Sequence, residues 1–322
     1  MEEARPGLAP QGPGPAPAGP SPLLVKEAEA VGVATLPLDG GLAAYASWRA
    51  PGKEGPNEDA LALIPAGPEA AVLAVADGLG GLPAGEQAAA LAVETLAERV
   101  AEAAEAGGGA LREAILDAIE EANRRILAEL PGAATTLAVA EIQGRCLRSY
   151  QVGDSLVLVV GQRGRLKHQT VAHSPVGYAV EAGLLSETQA MHHAERNLVS
   201  NVVGSPEMSI DVGPVVRLAP RDTVLLASDG LADNLYPWEI LERARAGPLA
   251  ACARRLLEDA RERMLHPSCC WESPGESPGE SPGETPGEAL GEAGGEAGGG
   301  PSAPEAAPGT PEEGRGEGGA KG

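Results

Sequence analysis

The chain lacks phenylalanine, and aromatic residues make up only 2% of it. Its core must therefore be built from Leu, Val, Ile and Ala, and recognition of bases by stacking on aromatic side chains is disfavoured. The four cysteines, Cys146, Cys252, Cys269 and Cys270, show no C-x-x-C spacing of the kind typical of zinc sites. We expect reduced thiols without a role in function.

Positive charge is also scarce. The 24 Lys and Arg residues are outnumbered by 46 Asp and Glu residues, which gives a formal net charge of −22. Such a chain is poorly suited to the phosphates of nucleic acid or to an anionic membrane surface. No apolar run of about 18 residues indicates a membrane span, and the N-terminus lacks the basic and then apolar order of a signal peptide. These absences predict a cytoplasmic protein that binds neither nucleic acid nor membrane.

Glycine and proline are abundant, with 44 and 29 copies, but they are unevenly distributed. Residues 1–40 are predicted to be a flexible arm rich in Pro, Gly and Ala, because so few large apolar side chains cannot offset the entropy of ordering. Residues 41–270 are predicted to form one folded domain. Residues 271–322, with their Glu-Ser-Pro-Gly repeats, are predicted to be an acidic disordered tail.

The apolar patterns of the central region predict strands, a helix pair, more strands and a second helix pair. Helical spacing occurs over residues 84–106, 111–130, 238–246 and 248–264. Strand signals occur over residues 42–48, 60–64, 71–76, 135–142, 146–152, 156–160, 198–203, 215–218 and 223–227. This order favours an α+β fold of two packed antiparallel sheets flanked by helix pairs over an alternating βαβ sheet.

Acidic residues occur where several of these strands end. The clusters are Asn57-Glu58-Asp59, Asp77-Gly78, Gly153-Asp154-Ser155 and Ser228-Asp229 with Asp233. Any one of them could be an ordinary turn, since Asp beside Gly is common in turns. Carboxylates brought together at strand ends are costly unless a cation lies between them, and a hard divalent cation takes such oxygen ligands. Together the clusters therefore predict a metal-dependent enzyme.

The glycine loop after Asp77 has a competing interpretation. A strand, a glycine-rich loop and a helix also describe a dinucleotide-binding fold with the fingerprint G-x-G-x-x-G. Here Pro83 occupies the last glycine position, and Asp77 directly before the first glycine would face the phosphates. The dinucleotide interpretation is disfavoured.

The motifs, taken in order, resemble those of metal-dependent protein serine/threonine phosphatases of the PP2C type, including bacterial members. The similarity extends over residues 42–264. It rests on N-E-D at Asn57 to Asp59, D-G-x-G-G at Asp77 to Gly81, T-T at Thr135-Thr136, G-D-S at Gly153 to Ser155 and S-D-G-x-x-D at Ser228 to Asp233. The resemblance implies hydrolysis of phosphoserine or phosphothreonine in proteins by a centre of two Mn²⁺ or Mg²⁺ ions with a metal-bound hydroxide as nucleophile.

The resemblance also implies the ligands of the two ions. Asp77 would bridge them, and the carbonyl of Gly78 with a carboxylate of Glu58 or Asp59 would complete one of them. Asp229 would bind the other ion, so that Asp77 and Asp229 are the expected catalytic residues. Hard oxygen ligands select Mg²⁺ or Mn²⁺ over zinc.

Further roles follow from the same resemblance. Asp154, Asp229 and Asp233 would form the looser third metal site that some members of the family have. Lys53 and Arg49 are the candidates for gripping the substrate phosphate, although neither stands at the family's usual arginine position.

The chain departs from the family pattern at its C-terminal end. The family closes with a core strand that opens on an Asp, which is a metal ligand, whereas no Asp follows Asp259 in this chain. One ligand and the last core strand are therefore missing. Two explanations remain open: a degenerate pseudophosphatase that acts as a binding or metal-sensing module, or a change of reading frame beyond His266 in a repetitive tract.

Overall fold

A computed structural model of the chain describes residues 21–38, 41–107, 110–245 and 247–266. The strands are β1 (Leu23–Glu27), β2 (Ala30–Thr35), β3 (Leu42–Ser47), β4 (Asn57–Pro65), β5 (Ala70–Asp77), β6 (Leu137–Gln143), β7 (Cys146–Val152), β8 (Leu156–Val160), β9 (Leu166–Gln169), β10 (Asp211–Val212), β11 (Val216–Arg217) and β12 (Thr223–Ala227). The helices are α1 (Gly85–Glu105), α2 (Leu111–Glu129), α3 (Pro175–Glu181), α4 (Glu187–Met191), α5 (Asp229–Ala232), α6 (Pro237–Ala244) and α7 (Leu249–Leu265).

The larger sheet is antiparallel and has the strand order β1-β4-β5-β6-β7, with β10 and β11 both paired to β7. Helices α1 and α2 cover one of its faces. The apolar stripe of α1, with Leu96 and Val100, and that of α2, with Ile115, Ile119 and Ile126, are fully buried. This burial removes apolar surface from water and explains why the 3.6-residue periodicity predicted both helices.

The smaller sheet has the order β12-β8-β9, and β2 and β3 form a separate hairpin. Helices α6 and α7 pack on the outer side of β8, where Leu156 and Leu158 contact Ile240 and Leu256. The inner side of β8, with Val157 and Val159, packs against the larger sheet. The predicted α+β fold of two antiparallel sheets flanked by helix pairs is confirmed.

The predicted flexible arm over residues 1–40 is wrong for residues 23–35. Strand β1 pairs with β4, and β2 pairs with β3 along six residues. Composition alone does not predict these strands, because their order comes from hydrogen bonding to neighbouring strands. The apolar side chains of β1 also pack at the edge of the core. The rest of the predicted arm, apart from residues 21–22 and 36–38, and the predicted tail over residues 271–322 lie outside the described residues.

A strand predicted over residues 198–203 is also wrong. In this segment only Val203 pairs, through an isolated bridge to Thr135. Polar contacts replace a ladder, because the Asn201 side chain bonds the backbone of Ser209 on both sides at 2.7 and 3.1 Å. Upstream of it, α3 and α4 each begin at a serine N-cap.

Two other features bear on the sequence-based expectations. Cys146 is exposed and Cys252 is buried, and both are free thiols, while Cys269 and Cys270 lie outside the described residues. Within the described ranges, every helix is too short or too polar to cross a membrane.

Candidate metal centre

Asp59 and Asp77 lie side by side on neighbouring strands. They are paired residues in the antiparallel register of β4 and β5. Directly opposed residues on one face of an antiparallel pair have Cβ atoms about 5 Å apart. The pairing therefore brings together two carboxylates that are 18 positions apart in the sequence.

The backbone of Asp77 is held on its other side by the Thr135-Thr136 pair. The Thr135 hydroxyl and the Thr136 N–H both donate to the Asp77 carbonyl, at 2.9 and 2.8 Å. The Asp77 N–H donates to Thr136 Oγ1 at 3.2 Å. The two threonines thus fix the end of β5, which explains why this pair precedes β6.

Gly78 lies where the chain passes closest to the start of α1. A Cβ atom at this position would overlap the backbone of Gly85. The Gly78 N–H donates to the Glu58 carbonyl at 3.1 Å. Only glycine therefore allows the chain to turn here directly after Asp77.

Asp154 lies in the tight turn between β7 and β8. Gly153 has a positive φ of 103°, and a Cβ atom there would meet Thr136 at 2.7 Å. Thr136 Oγ1 and Ser155 Oγ are hydrogen bonded at 2.6 Å. The turn carrying Asp154 is therefore packed against the same threonine that holds Asp77.

His173 holds this turn through hydrogen bonds to Gly153, a role that the sequence did not reveal. The ring Nδ1 of His173 accepts the Gly153 N–H at 3.2 Å and lies 2.9 Å from Asn201 Nδ2. The backbone N–H of His173 donates to the Gly153 carbonyl at 3.0 Å. The residue is buried, and this burial lowers the pKa of the imidazole, with Asp211 opposing the shift. His173 is thus a neutral structural acceptor.

We expect His173→Ala to destabilise the fold by about 1–3 kcal/mol, because it leaves the buried Gly153 N–H without its acceptor. Chemical denaturation at pH 7.5 measures this change. His266→Ala, at an exposed position, is the matched control and should change stability by less than about 0.5 kcal/mol. Equal stability of the two variants would contradict the supporting role of His173.

Asp229 and Asp233 follow β12 on the single turn of α5. The Asp233 N–H donates to the Asp229 carbonyl at 2.8 Å, so the two side chains leave the same side of the turn. Ser228, the residue before them, donates its hydroxyl to Asp59 Oδ2 at 3.3 Å. This contact joins the end of β12 to the start of β4.

The carboxylates interact strongly enough to perturb each other's pKa. Burial is the main cause in each case, and the charge of Asp229 is a further cause for every one of them. The pKa rises to about 6 for Asp59 and for Asp154 and to about 7 for Asp233. The pKa of Asp77 lies well above its ordinary value, with the charge of Asp59 as the second cause. Five carboxylates from four parts of the chain therefore share one half-buried region.

The chemistry of this group fits a hard divalent cation. Its side chains offer only carboxylate oxygens, and burial of several such charges is costly without a cation. Among the described residues, Lys53 lowers the pKa of Asp59 and Arg196 lowers the pKa of Asp233. Within the described ranges, no three His, Cys, Asp or Glu side chains already have the spacing of a metal-holding group. The match between this group and a divalent cation therefore rests on its carboxylate oxygens and on the repulsion between their charges.

The remaining predicted residues lie around this group. Glu58 forms an ion pair with Lys53, and both side chains lie against Gly80 in the glycine loop. Arg49 instead donates to the carbonyl of Gly55. Glu58 and Asp59 were the two alternatives for one ligand. The pKa of Asp59 is raised in part by Asp229, which lies in the carboxylate group, whereas Glu58 pairs with Lys53.

Arg196 is a further residue that the sequence did not single out. Its guanidinium lies 3.6 Å from Asp233 and lowers the pKa of that carboxyl against the larger opposing effects. The sequence before it has no regular apolar pattern that would predict a partner. The contact places one cation at the Asp233 side of the carboxylates.

Comparisons with known proteins agree on one family. A family model described as protein phosphatase 2C matches residues 51–266. The serine/threonine protein phosphatase PstP of Mycobacterium tuberculosis is 32% identical over 199 residues, which cover 59% of this chain and 37% of PstP. The serine/threonine phosphatase stp of Listeria monocytogenes is 31% identical over 189 residues, covering 56% of this chain and 74% of that protein. The chain thus spans little more than a third of the length of PstP.

Solved structures show the same similarity. The serine/threonine phosphatase of S. agalactiae superposes with a TM-score of 0.57 at 28% identity, covering 66% of this chain and 89% of that one. The catalytic domain of PstP in complex with two manganese ions superposes with a TM-score of 0.55 at 25% identity, covering 75% of this chain and 93% of that one.

Proposed function

Because the chain belongs to the protein phosphatase 2C family, we propose that it hydrolyses phosphoserine and phosphothreonine in proteins with two Mn²⁺ or Mg²⁺ ions. One observation carries this proposal: the half-buried carboxylates of Asp59, Asp77, Asp154 and Asp233 lie in one group, and Asp229 raises the pKa of each. Such a group is stable when cations neutralise it. The manganese-bound relative supports the choice of ion.

We propose that Asp59, Asp77 and Asp229, with the Gly78 carbonyl, would hold the two ions, with Asp59 taken instead of Glu58. Asp154 and Asp233 would form, with Asp229, a looser third site. When bound, divalent ions offset the charge of phosphate oxygens and make water a better nucleophile. The protein's own part is positioning, which the hydrogen bonds of Thr135 and Thr136 to Asp77 provide.

Lys53 is the better candidate for holding the substrate phosphate. Its ammonium group is half-exposed beside Gly80 and lowers the pKa of Asp59, so it faces the carboxylates from the solvent side. Arg49 is occupied by the carbonyl of Gly55. A phosphate that reached the carboxylate region would compete with Glu58 for Lys53.

We expect Lys53→Met to raise KM for a phosphothreonine peptide about five- to tenfold, with a smaller change in kcat, because an exposed cation contributes about 1 kcal/mol of phosphate binding. Steady-state kinetics at saturating Mn²⁺ measure both constants. Arg49→Met is the matched control and should leave KM within about twofold. A larger effect of Arg49→Met than of Lys53→Met would assign phosphate binding to Arg49.

The proposed activity is tested by Mn²⁺-dependent hydrolysis of p-nitrophenyl phosphate and of a phosphothreonine peptide by the full chain. Asp229→Asn should reduce turnover by about 100-fold or more, which corresponds to about 3 kcal/mol of transition-state stabilisation. Asp259→Asn is the matched control, because its carboxylate pairs with Arg243 at 2.7 Å instead of with the cluster. Full activity of Asp229→Asn would contradict the proposal.

A second candidate is a catalytically weak pseudophosphatase that binds phosphoproteins or senses metal. It is favoured by one observation: residues 260–322 contain no Asp that could correspond to the carboxylate of the family's last strand. Fluorescence anisotropy with a labelled phosphothreonine peptide distinguishes the candidates. Saturable binding without hydrolysis at saturating Mn²⁺ would support the pseudophosphatase, whereas turnover of the bound peptide would exclude it.

A further inference from the structure

Arg261 of α7 is a cation close to the start of β4. Its guanidinium lies 5.0 Å from the centroid of the Trp48 ring. Trp48 directly follows Ser47, whose hydroxyl accepts a hydrogen bond from the Asn57 side chain at 2.7 Å. Asn57 Oδ1 in turn accepts the N–H of Asp59 at 3.3 Å. The ring that Arg261 contacts is therefore joined to the segment that carries Asp59.

The last turn of α7 also approaches α5. A Cβ atom added to Gly230 would lie 3.7 Å from Met264 Cε. Gly230 directly follows Asp229, and Met264 lies three residues after Arg261, on the same face of α7. Arg261 is therefore held near two parts of the chain that carry proposed ligands of the two ions.

The Arg261 guanidinium has no carboxylate partner within the described residues. Its contact with the tryptophan ring is a cation–π contact, which does not use the N–H donors. Glu258 and Glu262, its acidic neighbours on α7, are exposed and do not pair with it, and Asp259 pairs with Arg243. An exposed guanidinium with unused donors is complementary to a carboxylate, which it can bind through two parallel hydrogen bonds.

Other cations near the carboxylates already have partners. Lys53 forms an ion pair with Glu58, and Arg196 forms one with Asp233. Arg49 donates to a backbone carbonyl. The guanidinium on α7 differs from these three cations, because no residue in the described ranges accepts its N–H groups.

We propose that Arg261 selects phosphoprotein segments that have an acidic residue near the phosphoserine or phosphothreonine. This inference rests on the proposed function and adds a class of substrate to it. Pairing of a substrate carboxylate with an exposed guanidinium favours such a segment by about three- to fivefold. The contact with Trp48 restricts the arginine side chain beforehand, which reduces the entropy lost when the substrate binds.

The test uses the full chain at saturating Mn²⁺ and four phosphothreonine peptides. Each peptide carries two Glu or two Lys residues, either before or after the phosphothreonine, and is otherwise built from Ala and Gly. We expect kcat/KM to be about three- to fivefold higher for the Glu peptide than for the Lys peptide in one of the two pairs. Arg261→Glu should reverse this preference. Its turnover of p-nitrophenyl phosphate, which has no flanking residues, should stay within about twofold of the parent.

Arg112→Glu is the matched control and should keep the preference of the parent. Arg112 is exposed at the start of α2 and lines a separate pocket with Gln143, at the opposite end of β6 from Thr136. A parent without a preference for Glu in either pair, or an Arg261→Glu variant that keeps the preference, would overturn the proposal. Equal loss of activity toward p-nitrophenyl phosphate and all four peptides would also overturn it, because Arg261 would then act only in folding.

Failure of the proposed function gives a different result. A parent that hydrolyses neither p-nitrophenyl phosphate nor any of the peptides at saturating Mn²⁺ would contradict phosphatase activity. Anisotropy with the same peptides, labelled with fluorescein, then measures the preference in binding instead of in turnover. Tighter binding of a Glu peptide, reversed by Arg261→Glu, would support the role of Arg261, and equal binding of the Glu and Lys peptides would overturn it.

Discussion

Asp77→Asn is expected to abolish Mn²⁺-dependent phosphatase activity and, at the same time, to stabilise the metal-free protein at neutral pH. The activity should fall by about 100-fold or more, because Asp77 is the proposed ligand shared by both ions. The stability should rise, because the pKa of Asp77 is raised by burial and by Asp59 and Asp229. A neutral amide of the same shape removes this repulsion.

The pH dependence of this gain has a defined sign. A folded pKa above the unfolded value means that ionisation of the carboxyl opposes folding. The cost is absent below the ordinary pKa of about 3.8 and grows as pH rises through the folded pKa. The gain from Asp77→Asn should therefore be largest at pH 8 and should shrink toward pH 4.

Thermal unfolding of EDTA-treated protein measures this gain. Asp259→Asn is the control, because its carboxylate pairs with Arg243 outside the cluster, and it should show no gain in Tm at pH 8. A variant that loses activity and also loses stability at pH 8 would indicate that Asp77 is mainly structural. Such a result would contradict the proposed electrostatic cluster.

The second large effect concerns metal and pH together. Mn²⁺ at about 100 times its dissociation constant should stabilise the EDTA-treated protein by about 2.7 kcal/mol at pH 7.5. At pH 5.5 the stabilisation should be smaller, because Asp59 and Asp154 titrate at about 6 and Asp233 at about 7, and protons then compete with metal. The metal-free protein should itself gain stability from these three groups between pH 7.5 and 5.5.

Two histidines have the opposite effect on the stability of the metal-free protein as pH falls, so the measurement requires a control. Burial lowers the pKa of His168 and His173, so their contribution to stability is lost as pH falls below about 6.5. Asp233→Asn isolates the carboxylate part, because the histidines are unchanged in it. The difference in Tm between this variant and the parent should decrease from pH 7.5 to 5.5. An unchanged difference would contradict the raised pKa of Asp233.

Periodicity and strand ends predicted those parts of the fold that depend on local sequence. The helices α1 and α2 carry apolar stripes that must be buried, and they begin and end within about a residue of the predicted bounds. The carboxylates of Asp59 and Asp77 could be expected together because antiparallel neighbours bring their ends to one edge.

Other features depend on contacts between distant residues, and local patterns do not report them. Strand β1 was missed because its order comes from pairing with β4, a partner that its own composition does not indicate. The support of the Asp154 turn by His173 joins positions 20 residues apart through side-chain and backbone bonds. Likewise, the Arg196 contact with Asp233 joins an irregular segment to α5.

Titration of the EDTA-treated full chain with Mn²⁺ by isothermal calorimetry at pH 7.5 tests the central claim most directly. The carboxylate cluster predicts that two ions bind per chain with micromolar affinity, and that Asp77→Asn and Asp229→Asn each lose this binding while Asp259→Asn retains it. Absence of Mn²⁺ binding to the parent chain, or equal binding to the Asp77→Asn variant, would contradict a metal centre built from these residues.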